Sequence, residues 1–229
     1  MIKKSFLVFL ILGLPGLLKS QTLSGMTGLL NIPSADVHPV GTFMVGGNYL
    51  PALNQPLWGY GTGNYYLNLT FLPFFEVGYK MTLRKGINGH LNNQDRSASF
   101  HLRLGKEKKY LPAMTLGAHD FLTTDTIIEN QYFSATYIVF TKHFNLRNSI
   151  IGITSGYGIN LLHNSNFVGL FGGVSVTPGF FKPLQLMAEY DGKGINLGGN
   201  ILLYNHFYIF CMAQDRKYFA GGIAYCIYL

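Results

Sequence analysis

At 229 residues the chain is long enough for one large domain or two small ones. It is 48% hydrophobic and 15% aromatic but only 12% charged, against roughly 25% charged in an ordinary soluble domain, so a water-facing surface is hard to build from it. The formal charge of +7 includes Lys3, Lys4 and Lys19; without them it falls to +4, too mild to imply a nucleic acid partner.

At the N-terminus, Lys3 and Lys4 precede an apolar run from Phe6 to Leu18. A basic start, a short apolar run and a small polar finish at Ser20 predict a secretory signal peptide over 1–20. The run is too short to cross about 30 Å of hydrocarbon as a helix; a buried core helix is the competing reading. Segment 21–39 is expected to cap or enter the periplasmic mouth of the domain formed by 40–229. No later segment has about 18 consecutive apolar residues, which argues against spanning helices. For a secreted chain this apolar, the remaining membrane solution is a closed β-barrel, which also satisfies every backbone N–H and C=O in lipid.

Strands must then be found, and the best stretch is 64–84, NYYLNLTFLPFFEVGYKMTLR. Tyr65, Leu67, Leu69 and Phe71 alternate with Asn64, Tyr66, Asn68 and Thr70. After Leu72-Pro73, Phe75, Val77, Tyr79, Met81 and Leu83 alternate with Glu76, Gly78, Lys80, Thr82 and Arg84. A helical period of 3.6 would spoil both faces, so these are two strands joined by a tight turn. The same period recurs at 97–104 and 184–191, and less regularly near 40–50, 110–119, 131–142, 148–158, 166–176, 194–203, 206–213 and 218–229. The prediction is an all-β, antiparallel transmembrane barrel of about twelve strands, an even number as bacterial barrels have.

Connection lengths agree with alternating short periplasmic turns and longer external loops. The external connections fall near 51–61, 85–95, 120–130 and 159–165, with two short ones at 192–193 and 214–217. The periplasmic turns are 72–73, 105–109, 143–147, 177–182 and 204–205. Aromatic residues such as Phe71, Phe74, Tyr110, Phe144, Phe180 and Tyr204 cluster beside the latter, as an interfacial girdle would. A final apolar strand ending at Leu229 fits a chain that inserts into the outer membrane. The competing architecture is a soluble β-sandwich or lipocalin-like barrel with its apolar faces inward.

If the apolar faces meet lipid, Glu76, Lys80, Arg84, His101, Arg103, Glu189 and Asp191 line the lumen. Charges of both signs there are expected to pair and fill a narrow interior; a ligand or conduction path is the other reading. Whether Glu76 and Lys80, four residues apart on one face, form a pair is open. Signals for catalysis are poor. Seven histidines (His38, His90, His101, His119, His143, His163 and His206) are scattered without ligand spacing, and no nucleophile elbow, Cys-x-x-Cys or phosphate-binding glycine loop occurs. No catalytic residue, metal ligand set or cofactor is predicted, and the chain is read as a non-enzyme, although His119-Asp120 is the place to look for a hydrolase. A hairpin turn near Asp215-Arg216 would set Cys211 opposite Ala220 and Cys226 opposite Asn205, leaving two unpaired thiols.

Segment 25–51, GMTGLLNIPSADVHPVGTFMVGGNYLP, resembles the N-terminal signature of the YjbH-like family of outer-membrane proteins through Gly25, Thr27, Gly28, Pro33, Ala35, Gly41 and Gly46. Segment 95–120, DRSASFHLRLGKEKKYLPAMTLGAHD, is similar to another family run and contains Asp95, Arg96 and Asp120; 132–144, with Lys142, and 186–192 also look like family segments. The resemblance implies a barrel associated with exopolysaccharide or capsule production and secretion. Expected partners are outer-membrane lipid, polysaccharide and periplasmic export components. An adhesion barrel, using Leu57-Trp58-Gly59-Tyr60 on an external loop, and a lipid-modifying enzyme are the alternatives.

Overall fold

A computed structural model describes residues 19–52, 59–85, 89–91, 93–123, 133–161 and 168–229. The chain folds into twelve antiparallel strands: β1 (Thr42–Leu50), β2 (Thr62–Leu72), β3 (Phe75–Arg84), β4 (Asn93–Gly105), β5 (Ala113–Thr123), β6 (Ala135–Leu146), β7 (Ser149–Ile159), β8 (Gly169–Thr177), β9 (Leu184–Tyr190), β10 (Ile195–Leu203), β11 (Phe207–Gln214) and β12 (Tyr218–Tyr228). Each pairs with its sequence neighbours, and β1 closes on β12 with Thr42 opposite Tyr228. The expected all-β barrel is therefore the fold, and closure leaves no unpaired strand edge.

Alternation decides which side chains go where. On β2, Asn64, Tyr66, Asn68 and Thr70 are buried inside while Tyr65, Leu67 and Phe71 are exposed outside. The outer face carries an aliphatic band that includes Val45, Leu67, Ile153, Val174, Leu197 and Ile209. Exposed rings flank it on both sides. Phe71, Phe144 and Phe207 lie toward the short turns, whereas Tyr49, Tyr65, Tyr157, Tyr190 and Phe219 lie toward the longer loops. An apolar belt between two aromatic girdles is the exterior of a barrel that spans a bilayer.

Several boundaries differ from expectation. β4 begins at Asn93, four residues before 97, and β5 runs through His119 and Asp120 to Thr123. Opposite Ala98–Phe100 of β4, β5 bulges with two extra residues between Ala118 and Leu122; Ala118, His119 and Asp120 are all buried, and Asp120 takes φ +54°. β6 continues past His143 to Leu146, which pairs with Ser149 around a two-residue turn at Arg147-Asn148. The last hairpin turns over three residues, 215–217, with Gln214 opposite Tyr218. That shifts its register by one: Cys211 faces Gly221, and Cys226 lies beside His206, whose backbone carbonyl accepts the Cys226 N–H at 2.8 Å. Cys211 is exposed outside and Cys226 buried inside, so both remain free thiols.

The lumen is filled by the chain itself. Residues 19–41 enter at the short-turn end, double back twice and leave at the same end into β1. The segment carries its own bridges, Gln21 to Thr27 and Gly28 to Pro33, and a Leu23 N–H to Leu30 C=O bond of 3.0 Å. The main hydrophobic core forms where Leu23, Leu29, Leu30 and Ile32 of this plug meet inward-facing Met44, Tyr66, Phe171 and Phe210 of the wall. Burying each such side chain contributes roughly 1.5–3 kcal/mol.

Candidate functional site

The plug is held mainly by polar groups that the strands aim inward. Glu76 accepts the Thr27 N–H at 2.8 Å, the Thr27 hydroxyl, and the Asn68 amide at 2.7 Å. Across the lumen, Glu189 accepts the backbone N–H groups of Leu30 (2.9 Å), Asn31 (2.7 Å) and Ile32 (3.3 Å), with Asn196 at 2.9 Å. A buried carboxylate is tolerable only when such donors surround it. Asn48 and Asn64 both donate to the Leu23 carbonyl, Asn68 to that of Gly25, and Tyr66 to the Gln21 side chain. The plug asparagine Asn31 reaches Asp191 at 3.0 Å. Sequence reasoning passed over these asparagines. Their signal was available, since Asn is depleted in strands and an inward-facing row of it points to a backbone waiting to be bound.

The remaining lumen residues form a second cluster. Lys80 pairs with Asp120 and not with Glu76. Asp120 also accepts the Ser97 hydroxyl (2.8 Å) and the Phe133 N–H (2.7 Å), which ties Phe133, just before β6, to the wall. His101 Nδ1 and His119 Nε2 each lie 3.1 Å from the Tyr137 hydroxyl. His119 and Asp120 thus face different partners and do not form a base pair for a nucleophile. Arg84 is buried near the loop end, and Arg103 reaches the Pro73 carbonyl at the turn end.

The family-motif positions divide by place. Gly25, Thr27, Gly28, Pro33 and Ala35 belong to the plug. Gly25 has φ +82° and lies against the Tyr66 ring, where a Cβ would collide. Gly41, also at φ +82°, packs on the Leu229 backbone where β1 meets β12. Asp95 is buried inside β4, whereas Arg96 is exposed outside and bonds Gln94. Lys142 pairs with Glu107 at 3.0 Å. Leu57 and Trp58, like residues 1–18, lie outside the described residues.

At the short-turn end, plug and wall leave a cavity of about 260 Å³. Asp36 stands at its edge, bridged to Lys19 (3.1 Å) and to His143 Nε2 (3.4 Å), while His143 Nδ1 lies 2.7 Å from Glu107. Burial opposes ionisation of Asp36, but Lys19 and His143 outweigh it and hold the carboxyl well below the usual carboxylate range. Burial likewise works against the Glu107 charge, and its hydrogen bonds from His143 and Lys142 prevail, lowering its pKa. Deeper in the plug, burial pushes the pKa of His38 down. Ser175, Thr177, Gln185, Asn200 and Tyr208 line the polar wall, and Leu29, Ile150 and Leu202 supply apolar contact. Around this mouth, the short turns carry Lys106, Lys108, Lys109, Arg147 and Lys182 against one acid, Glu107.

The profile of a family described as "Exopolysaccharide biosynthesis protein YbjH" (YjbH) matches residues 20–195. No curated protein matches. Among solved structures, outer membrane phospholipase A from Escherichia coli is similar at 9% identity and a TM-score of 0.43, covering 85% of this chain and 95% of that one. The Salmonella typhi outer membrane phospholipase dimer with bound calcium gives the same identity and TM-score, covering 85% and 92%.

Proposed function

The chain belongs to the YjbH family of exopolysaccharide biosynthesis proteins, and from that premise we propose that it is an outer-membrane barrel that assists secretion or assembly of an exopolysaccharide. The apolar belt between two girdles supports residence in a bilayer, and an outer membrane is where barrels of this kind serve. With both plug ends and the short turns at one end, that end faces the periplasm. The observation that carries the reading is the filled lumen. Twelve strands could enclose a path, but residues 19–41 occupy it, and among the described residues a cavity of mixed polar and apolar lining opens at the periplasmic mouth. The barrel in this state is therefore an accessory that meets polymer or export components from the periplasmic side and does not conduct. Its role is one of binding and not of catalysis.

Deleting the gene in its native host should change the amount or chain length of extracellular polysaccharide, and the full gene supplied in trans should restore both. The protein should fractionate with the outer membrane. Polysaccharide unchanged in amount and length would overturn the export role.

A further inference from the structure

We infer that the mouth cavity is a binding site for one sugar unit that bears a carboxylate, within an acidic polysaccharide. This rests on the function proposed above and names the ligand class that the site would take. The cavity lies inside the barrel, separated from surrounding lipid by the strand wall. Its volume of about 260 Å³ falls just under the roughly 300–1,000 Å³ of pockets that enclose drug-sized ligands, a scale for a single ring.

The wall chemistry suits a polyol. The hydroxyls of Ser175 and Thr177 have no hydrogen-bond partner among the described residues, although Ser175 is buried. Gln185 uses only its oxygen, accepting from Asn200 at 3.4 Å, so its amide N–H groups are free. Hydroxyls both donate and accept, and an amide offers both functions at fixed geometry, which matches the paired donor and acceptor character of a sugar ring. Leu29 and Leu202 offer apolar surface to the C–H face of that ring.

Charge selects the acidic sugar. Asp36 is already committed to Lys19 and His143, so it does not repel an incoming anion as a free carboxylate would. Lys182 lines the cavity from an exposed turn and has no acidic partner among the described residues. The turns behind it, with Lys106, Lys108, Lys109 and Arg147, present a positive rim that would draw a polyanion toward the mouth. A lipid headgroup would meet the rim alone, because the hydroxyl and amide wall faces the lumen.

The test is calorimetric titration of the full chain, folded in neutral detergent, with tetragalacturonate and with maltotetraose. Tetragalacturonate should bind at least about tenfold more tightly and weaken as salt is raised. Lys182→Ala, on an exposed turn, should weaken tetragalacturonate about fivefold and leave maltotetraose little changed. Gln185→Glu should weaken tetragalacturonate further by adding a like charge, and Gln185→Leu should weaken both sugars. Failure of both sugars to bind would overturn the site. So would losses that follow Lys108→Ala and Lys109→Ala as strongly as Lys182→Ala while ignoring Gln185→Leu, which mark diffuse charge. Binding to phosphatidylglycerol vesicles that is equally tight and blind to Gln185→Leu would assign the rim to lipid headgroups instead. Absent sugar binding with an intact deletion phenotype removes this site and spares the export role; sugar binding with no phenotype does the reverse.

Discussion

Asp120 holds three groups at once: the Lys80 ammonium, the Ser97 hydroxyl and the Phe133 N–H. Lys80 in turn lies 4.5 Å from the centre of the Phe133 ring, so cation, anion and ring lock Phe133, just before β6, onto the inner wall. Both charges are buried, and removing one partner strands the other without compensation, at a cost of about 3–5 kcal/mol. Lys80→Met should lower unfolding stability in denaturant titration by that order. Lys80→Met combined with Asp120→Asn should cost less than the sum of the two single changes. A strictly additive result would mean that the two do not act together. The sequence displayed both residues, but not their pairing. Asp120 reaches Lys80 across an intervening strand only because a bulge and a φ of +54° turn it inward, and alternation cannot register an inserted residue.

The plug is one element tied at separate stations, Glu76 on β3, Thr141 on β6 and Glu189 on β9, the middle one accepting the Ala35 N–H at 2.8 Å. Each carboxylate is placed to accept N–H groups, which a glutamine amide can do with only one oxygen. The wild-type protein in planar bilayers should therefore carry no steady current. A variant lacking residues 22–36 should conduct continuously, and Glu76→Gln with Glu189→Gln should open intermittently. A silent deletion variant would show that something other than the plug blocks the lumen. The plug also explains why some strands were easy to read and others were not. The inner residues of β2, β3 and β4 meet either the plug backbone, as Asn64, Asn68 and Glu76 do, or the cluster around Asp120 and Tyr137, as Lys80, Ser97 and His101 do, so they are mostly polar and the alternation is clean. On β6, β8 and β11 the inner residues include Tyr137 and Val139, Phe171, and Phe210 and Met212, which share the hydrophobic core with the plug leucines. Apolar residues on both faces of those strands blur a period of two although the fold is the same.

At the scale of the whole molecule, the barrel depends on one long-range seam. Thr42 to Tyr49 of β1 pair with Gly221 to Tyr228 of β12, and the Leu229 N–H reaches the Gly41 carbonyl at 2.8 Å. The intact protein should migrate differently on gels before and after heating, as a closed sheet resists detergent. Removing residues 225–229 should abolish that difference by stripping the seam of half its pairs. A heat-dependent shift that survives truncation would mean that the remaining pairs suffice. Closure over such a sequence distance is intrinsically slow, and until it happens two strand edges stay open. The stations of the plug stand on well-separated strands, so their full set exists only once the ring is complete. The segment made before every strand is therefore the last to find its place, and the seating of Leu30 and Asn31 on Glu189 marks the moment when assembly has finished.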